Sequence, residues 1–266
     1  MQCPKPITLK TAEVPVPCGR CFACLERRRK DWAFRLGIEQ KVSSTADFIT
    51  LTYANDYLPI IEQDGKWYQT LLKTDVQKFM KRLRKKQKEK ITYYMVGEYG
   101  PKGGRPHYHY LMFNLTESNK RSIQDTWGLG HVDKDEVTPA SIMYVAGYLI
   151  NDYNHELPTQ KPFALMSKGI GKSYEHNKKY HKENERHYAQ YGRTKIALPR
   201  YYRNKFFTEE EKQIHNEKMA AHLARKDTDR FDKIIRNGQN PITYIPEQIK
   251  NEERKSIKNN KQNRKL

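Results

Sequence analysis

Apolar positions in this chain come in short bursts, and their spacing changes along its length. Residues 47–53, DFITLTY, form a β-branched run with strand character. Two more strands are predicted for ITYYMVGEYG (91–100) and PHYHYLMF (106–113), the first closed by a Gly/Pro turn, and GHVDKDEV (130–137) can supply a short fourth. Elsewhere the spacing is helical. LERRRKDWAFRLGIEQK (25–41) places Trp32, Ala33 and Leu36 on one side. TDVQKFMKRLRKKQKEK (74–90) repeats Val76, Phe79, Met80 and Leu83, and Thr74 with Gln77 three residues on reads as a capping box. ESNKRSIQDTW (117–127) predicts a helix stopped by GLG. TPASIMYVAGYLIN (138–151) opens with Thr138 as N-cap and Pro139 as the first helical residue.

The resulting order is strand, helix, strand, hairpin, strand, helix, strand and a last helix. That is a split βαβ arrangement of the ferredoxin-like kind, an α+β fold with a central antiparallel sheet and helices on one face. Four regions are expected: a Cys-rich arm and helix (1–45), a core (46–153), a partly helical extension (154–245) and a basic tail expected to be disordered (246–266). Within the extension, only TEEEKQIHNEKMAAHLARK (208–226) has clear helical character, starting at Thr208; no internal repeat is visible.

Charge narrows the partner. The 266 residues carry 50 Lys and Arg against 31 Asp and Glu, a formal net charge of +19, and mean hydropathy is −0.98. Such an excess favours a polyanion, nucleic acid above all. No apolar run approaches the roughly 20 residues of a spanning helix, and neither a signal-peptide core nor a lipidation signature is present. A soluble, cytoplasmic protein without a membrane partner is expected. GIGKS (169–173) is not a P-loop, because Met166 stands where the first glycine is required and no clear strand precedes it. Any unwinding must therefore be borrowed.

Candidate chemistry concentrates in three places. His107 and His109 alternate along a predicted strand and so share a face, roughly 7 Å apart at the backbone, with Tyr108 and Tyr110 opposite. Glu98, across the GPKGGRP turn, is placed to complete a His₂-carboxylate set suited to Mg²⁺ or Mn²⁺ on a phosphate oxygen. An H-x-H pair alone is more often an ordinary strand feature. Tyr144 and Tyr148 lie four apart on the last helix, opposite its apolar stripe of Ile142, Val145, Ala146, Leu149 and Ile150. An aryl phosphate ester would preserve the energy of a cleaved DNA bond, although a mere aromatic patch is the simpler alternative. Finally, all four cysteines (Cys3, Cys18, Cys21, Cys24) fall in the first 24 residues. This C-x-x-C-x-x-C spacing with one upstream partner suits a structural Zn²⁺, with an iron–sulfur cluster or bare thiols as alternatives. Phosphate contacts are assigned to Arg105, to Arg27 and Arg28 beside the cysteines, and to Lys81 and Arg82 in KRLRKKQKEK.

RPHYHYLMF together with YVAGYLIN resembles the HUH endonucleases. VPCGRCFACLERRRKDWAFRL, FITLTYANDYLP, YYMVGEYG, RPHYHYLMF and LPRYY, in that order from about residue 15 to about residue 205, more closely resemble the replication initiators of gokushovirus-type microviruses, small single-stranded DNA phages. The resemblance implies an endonuclease that nicks single-stranded phage origin DNA. It would leave a 5′-phosphotyrosine and a 3′-OH, and so start and terminate rolling-circle replication with a host helicase and polymerase. His107, His109 and Glu98 then become metal ligands, and Tyr144 and Tyr148 alternating nucleophiles. Relatives usually carry lysines within and just after the tyrosine helix, where this chain has Gly147, Asn151 and Asp152. The rival readings are a plasmid or transposon nickase of the same chemistry, and a non-catalytic, basic nucleic-acid-binding protein with a structural zinc.

Overall fold

A computed structural model describes residues 3–9, 15–100, 104–147 and 157–262. The chain divides into two units, one formed by Trp32–Tyr174 and the other by Met1–Asp31 with Glu175–Leu266. Helix α1 (Phe22–Val42) contributes its first part to the second unit and the remainder to the first.

The Trp32–Tyr174 unit is built on β1 (Ala46–Thr52), whose residues alternate between buried and half-buried along their whole length. A β2 (Ile60–Gln63) and β3 (Lys66–Gln69) hairpin follows, turning on Asp64 and Gly65, both at positive φ. That is the backbone an Asp-Gly two-residue turn demands. Next come α2 (Lys73–Lys85), β4 (Thr92–Tyr99), β5 (Pro106–Phe113), α3 (Glu117–Arg121), α4 (Ile123–Trp127), β6 (Val132–Glu136), α5 (Pro139–Gly147) and β7 (Phe163–Met166). The five long-range strands form one antiparallel sheet in the order β6-β1-β5-β4-β7, with β5 at its centre.

The sheet separates two kinds of surface. Ile49, Leu51, Met95, Tyr108, Tyr110 and Met112 pack with Val76, Phe79, Met80 and Leu83 of α2 and with Ile123 and Trp127 of α4, which is the helix layer expected from the sequence. The opposite face carries Phe48, Thr50, Tyr94, Val96, Glu98, His107 and His109, because directly paired residues share a side. It meets Trp32 of α1, 4.9 Å from the Tyr94 ring, and Tyr144 of α5. Helices therefore contact this face as well. Two glycines are demanded by close approach: a Cβ on Gly97 would lie 3.1 Å from the Tyr108 ring, and one on Gly130 would strike the Thr52 carbonyl at 2.2 Å.

Several local expectations are corrected. The capping box at Thr74 does not form: α2 begins at Lys73 with Leu72 as N-cap and no side-chain cap. Tertiary contact takes over that role, since the buried Tyr108 hydroxyl accepts from the Leu72 N–H at 2.8 Å. The single helix expected over 117–127 breaks at Ser122, where Lys86 reaches the Ser122 and Thr126 hydroxyls. β7, in a stretch read as irregular, adds a strand at the β4 edge. Thr138 behaves as expected, accepting from the Ser141 N–H at 3.1 Å.

In the other unit, α6 (Lys178–Glu183), β8 (Tyr188–Tyr191), β9 (Thr194–Ala197), α7 (Arg200–Phe206), α8 (Glu209–Arg236) and α9 (Pro241–Gln262) follow in order. Thr208 and Glu211 form a reciprocal capping box at the start of α8. The tail expected to be disordered from 246 is instead helical through Gln262. Its Glu, Lys, Arg and Gln residues are good helix formers, which outweighs their lack of apolar content.

Candidate functional site

Three strands build the first site. β5 runs between β1 and β4 so that His107 stands opposite Glu98, while His109 stands opposite both Val96 and Thr50. The Nε2 atoms of both imidazoles converge on one carboxylate oxygen: His107 donates to Glu98 Oε1 at 2.6 Å and His109 at 3.2 Å. The rings lie 4.9 Å apart, and the three ligand atoms fall within 4.8 Å of one another. Glu98 and His109 are buried, only 6% and 7% exposed.

Outer contacts fix both rings. His107 Nδ1 donates to the Arg105 carbonyl at 3.1 Å, and His109 Nδ1 lies 3.0 Å from the Thr50 hydroxyl. A ligating imidazole must offer a bare Nε2 while its Nδ1–H has an acceptor, and both rings have one. The Arg105 carbonyl is itself held by the Gly100 N–H at 2.9 Å, which closes the turn. Phe48 stacks on His109 at 5.6 Å.

Electrostatics divides the trio. Burial works to raise the Glu98 carboxyl, but hydrogen bonds and charge from the two histidines outweigh it and hold the group below its ordinary range. Burial likewise opposes protonation of His107, yet the Glu98 bond and charge prevail and raise it. For His109 burial wins, and with the neighbouring His107 charge keeps it low. Without an ion the trio is thus a carboxylate, one protonated imidazole and one neutral imidazole. A doubly charged cation would replace the proton that His107 holds, so two imidazoles and a carboxylate converging with fixed outer contacts fit a divalent metal.

Tyr144 approaches this group, its ring 5.4 Å from His109 and 6.3 Å from Phe48. In α5, Ile142, Val145, Ala146 and Gly147 are buried, as the stripe predicts, while Tyr144 is half-buried. Tyr148, with Leu149, Ile150, Asn151 and Asp152, lies outside the described residues.

The assigned phosphate contacts fare differently. Arg105 spans to the Asn55 side chain and the Tyr53 carbonyl, bracing the turn beside His107. Arg82 holds the Thr126 and Trp127 carbonyls at 2.8 and 3.1 Å, so its guanidinium is committed to the end of α4. Lys81, Arg27 and Arg28 are exposed. The GIGKS turn packs structurally: the Gly171 N–H donates to Glu39 and the Ile170 carbonyl accepts from Arg35. Sequence reading missed Thr50 and Phe48, which only cross-strand register brings beside His109.

The cysteines form the second cluster. A single β-bridge between Ile7 and Val16 folds the arm back, bringing Cys3 to Cys18. Cys21 precedes the first turn of α1, which contains Cys24, and its carbonyl accepts from the Leu25 N–H at 3.0 Å. All four Sγ atoms lie within 4.8 Å of one another, with Cys21 and Cys3 at 3.7 Å. Tetrahedral zinc with ~2.3 Å Zn–S bonds needs sulfurs about 3.8 Å apart. A cubane cluster spreads its thiolates further, so the donor set fits one ion. Backbone N–H groups of Arg20 and Cys21 lower the Cys18 thiol to about 6, whereas burial pushes Cys24 up to about 12.

With this geometry in place, relationships to known proteins bear on it directly. Residues 46–153, which contain the sheet histidines, Glu98 and the tyrosine helix, match the family of replication-associated proteins ORF2 and gene-2 protein, and this segment belongs to that family of small single-stranded DNA phages. The chain is similar to replication-associated protein ORF4 of Chlamydia phage 1, 31% identical over 166 residues covering 53% of this chain and 39% of that protein. It also resembles replication-associated protein VP4 of Bdellovibrio phage phiMH2K, 28% identical over 196 residues (64% of this chain, 62% of the relative). Replication-associated protein ORF2 of Spiroplasma virus 4 is 31% identical over 197 residues (64% and 60%). Each match spans less than two thirds of the relative's length. No solved structure matches the chain.

Proposed function

We propose that this chain is a metal-dependent endonuclease that nicks single-stranded DNA at a phage replication origin by tyrosine transesterification. The observation that carries the reading is the approach of Tyr144 to His109, beside the converging Glu98, His107 and His109. Those three residues would hold Mg²⁺ or Mn²⁺, which supplies charge stabilisation on a phosphate oxygen. Thr50 and the Arg105 carbonyl keep the two rings aimed, and Phe48 holds the plane of His109. Tyr144 brings its phenol oxygen to the phosphorus. A P–O bond to that oxygen forms as the bond to the 3′ oxygen breaks, and the phenol proton ends on the leaving 3′-OH. One ester replaces another, so the step is reversible and the 5′ end stays on the protein. Tyr148 is the proposed second nucleophile, allowing the regenerated origin to be cut and the first adduct resolved. The cysteine cluster would hold a structural Zn²⁺.

The test is incubation of the protein with end-labelled single-stranded origin DNA and Mn²⁺, followed by a denaturing gel. A covalent adduct that disappears in the Tyr144→Phe/Tyr148→Phe double variant supports the reading. An adduct undiminished in that variant, or DNA bound but never cleaved, overturns it.

A further inference from the structure

The strongest unassigned surface lies in the second unit, far along the sequence from the histidines. Between Glu175 and Lys205 the chain carries nine Lys and Arg against three Glu. All three glutamates are engaged: Glu175 with Lys205, Glu183 with Lys179 and Glu185 with Lys218. The excess is local, since α8 and α9 together hold twelve Lys and Arg against ten Asp and Glu.

The β8–β9 hairpin orders part of this charge. Its register pairs Tyr188 with Ala197 and Gln190 with Lys195, placing these four on one side. That side faces water: Gln190, Lys195 and Ala197 are exposed, while Ala189 on the other side is buried. On the exposed side Lys195 Nζ sits 4.8 Å from the Tyr188 ring centre. The Arg186 guanidinium lies between two tyrosines, 4.8 Å from Tyr180 of α6 and 5.8 Å from Tyr188. Its backbone is pinned, because its N–H donates to the His181 carbonyl and its own carbonyl accepts from His181 Nδ1 at 2.6 Å. Tyr180, Arg186, Tyr188 and Lys195 thus alternate ring and cation, with exposed Arg193 at the turn. Among the described residues no carboxylate pairs with Arg186, Arg193 or Lys195.

From this we infer that the outer side of α6 and the β8–β9 hairpin is a second binding surface for single-stranded DNA, distinct from the histidine site. Arg186, Arg193 and Lys195 take backbone phosphates, and Tyr180 and Tyr188 offer ring faces on which bases stack. Single strands fit better than duplex because unpaired bases expose the π-faces that such rings receive. An exposed cation–π ladder gains little by itself, which leaves its cations available to phosphate.

The test is fluorescence anisotropy of full-length protein with labelled oligothymidylate across a salt series, without added divalent metal. No cleavage enters the readout, so failure of the nicking reading would leave this result standing. Arg186→Gln/Arg193→Gln/Lys195→Gln should weaken binding at least about tenfold and flatten the slope of log K against log salt by about 2, at roughly 0.7 per phosphate contact. Tyr180→Leu/Tyr188→Leu should weaken binding roughly five- to a hundredfold with the slope unchanged. An unchanged affinity and slope in the charge variant makes the patch a solvated surface and overturns the inference, as does loss of duplex binding alone. Photocrosslinking of wild-type protein to 5-iododeoxyuridine DNA needs no variant: adducts on Tyr180 or Tyr188 are expected, and adducts confined to 46–147 overturn it.

Discussion

The two donor clusters of this chain are assembled in opposite ways. Glu98, His107 and His109 take their positions from three paired strands whose other side is packed with Ile49, Leu51, Met95, Tyr108 and Tyr110. Their geometry is held by the sheet and its core, whether or not an ion is bound. The cysteines have no such scaffold. Cys3 arrives from a segment whose Ile7 and Leu9 are each 45% exposed, and one backbone bridge turns it toward Cys18. Where the core is thin, a bound ion contributes folding energy directly. A site supported by the fold and a fold supported by a site should therefore fail differently.

The largest separation is expected from ligand removal. His107→Ala/His109→Ala should abolish Mn²⁺-dependent cleavage while the melting temperature and DNA affinity stay close to wild type, since affinity comes mainly from dispersed Lys and Arg. Cleavage at the wild-type rate would remove the histidines from the site. Cys18→Ser or Cys24→Ser should act in reverse. Because four-thiolate zinc is worth roughly 10–16 kcal/mol in small domains, its loss should open the first 31 residues to protease while 46–147 stays protected. Equal protease resistance with and without the cysteines would end the comparison.

Chelation probes the same contrast with no mutation. Dilute EDTA should stop cleavage at once, with Mg²⁺ or Mn²⁺ restoring it, while the thiolate-bound metal leaves more slowly. Elemental analysis is expected to find about one zinc per chain. A brown protein with visible absorption would instead mark an iron–sulfur cluster.

Intermediate effects are expected at the tyrosines. Phenylalanine keeps the packing of α5 while deleting the hydroxyl. Tyr144→Phe and Tyr148→Phe should each still form some covalent adduct but release few unit-length circles, and the double variant should form none. A single variant that releases circles as well as wild type makes the missing tyrosine scaffolding.

Much of the sheet cluster was legible in the sequence because it depends on the two simplest rules of a hairpin. Alternation put His107 and His109 on one side, and the tight turn after Tyr99 brought Glu98 opposite. Cys spacing was equally local. What escaped depended on contacts remote in sequence. Thr50 lies 59 residues from His109 and reaches it only through β1–β5 register. Thr74 looked like an N-cap, but the Tyr108 hydroxyl, 36 residues from Leu72, fixes where α2 begins. β7 reads as a short run after a proline, and only the unpaired edge of β4 makes it a strand. The β8–β9 hairpin carries a Gly at positive φ in its turn, a signal hidden among polar residues.

The smallest effects should come from the atoms around the ligands, where the sheet's hold on its cluster can be measured. Glu98→Gln keeps one oxygen toward the histidines but loses its charge, so Mn²⁺ should bind more weakly without complete loss of cleavage. Thr50→Val is subtler. Valine is β-branched and of similar shape, so β1 should keep its pairing, yet His109 Nδ1 loses its hydroxyl partner at 3.0 Å. Outer-contact substitutions at metal sites cost about 10–100-fold in affinity or activity. Phe48 still stacks on His109 and limits its rotation, which places this variant at the low end, about tenfold in Mn²⁺ affinity. Titrating Mn²⁺ against cleavage rate reads that shift directly, and wild-type activity should return at saturating metal. If activity stays low at saturation, Thr50 contributes to more than the aim of His109. If the titration curve does not move, Phe48 and strand pairing alone orient the ring.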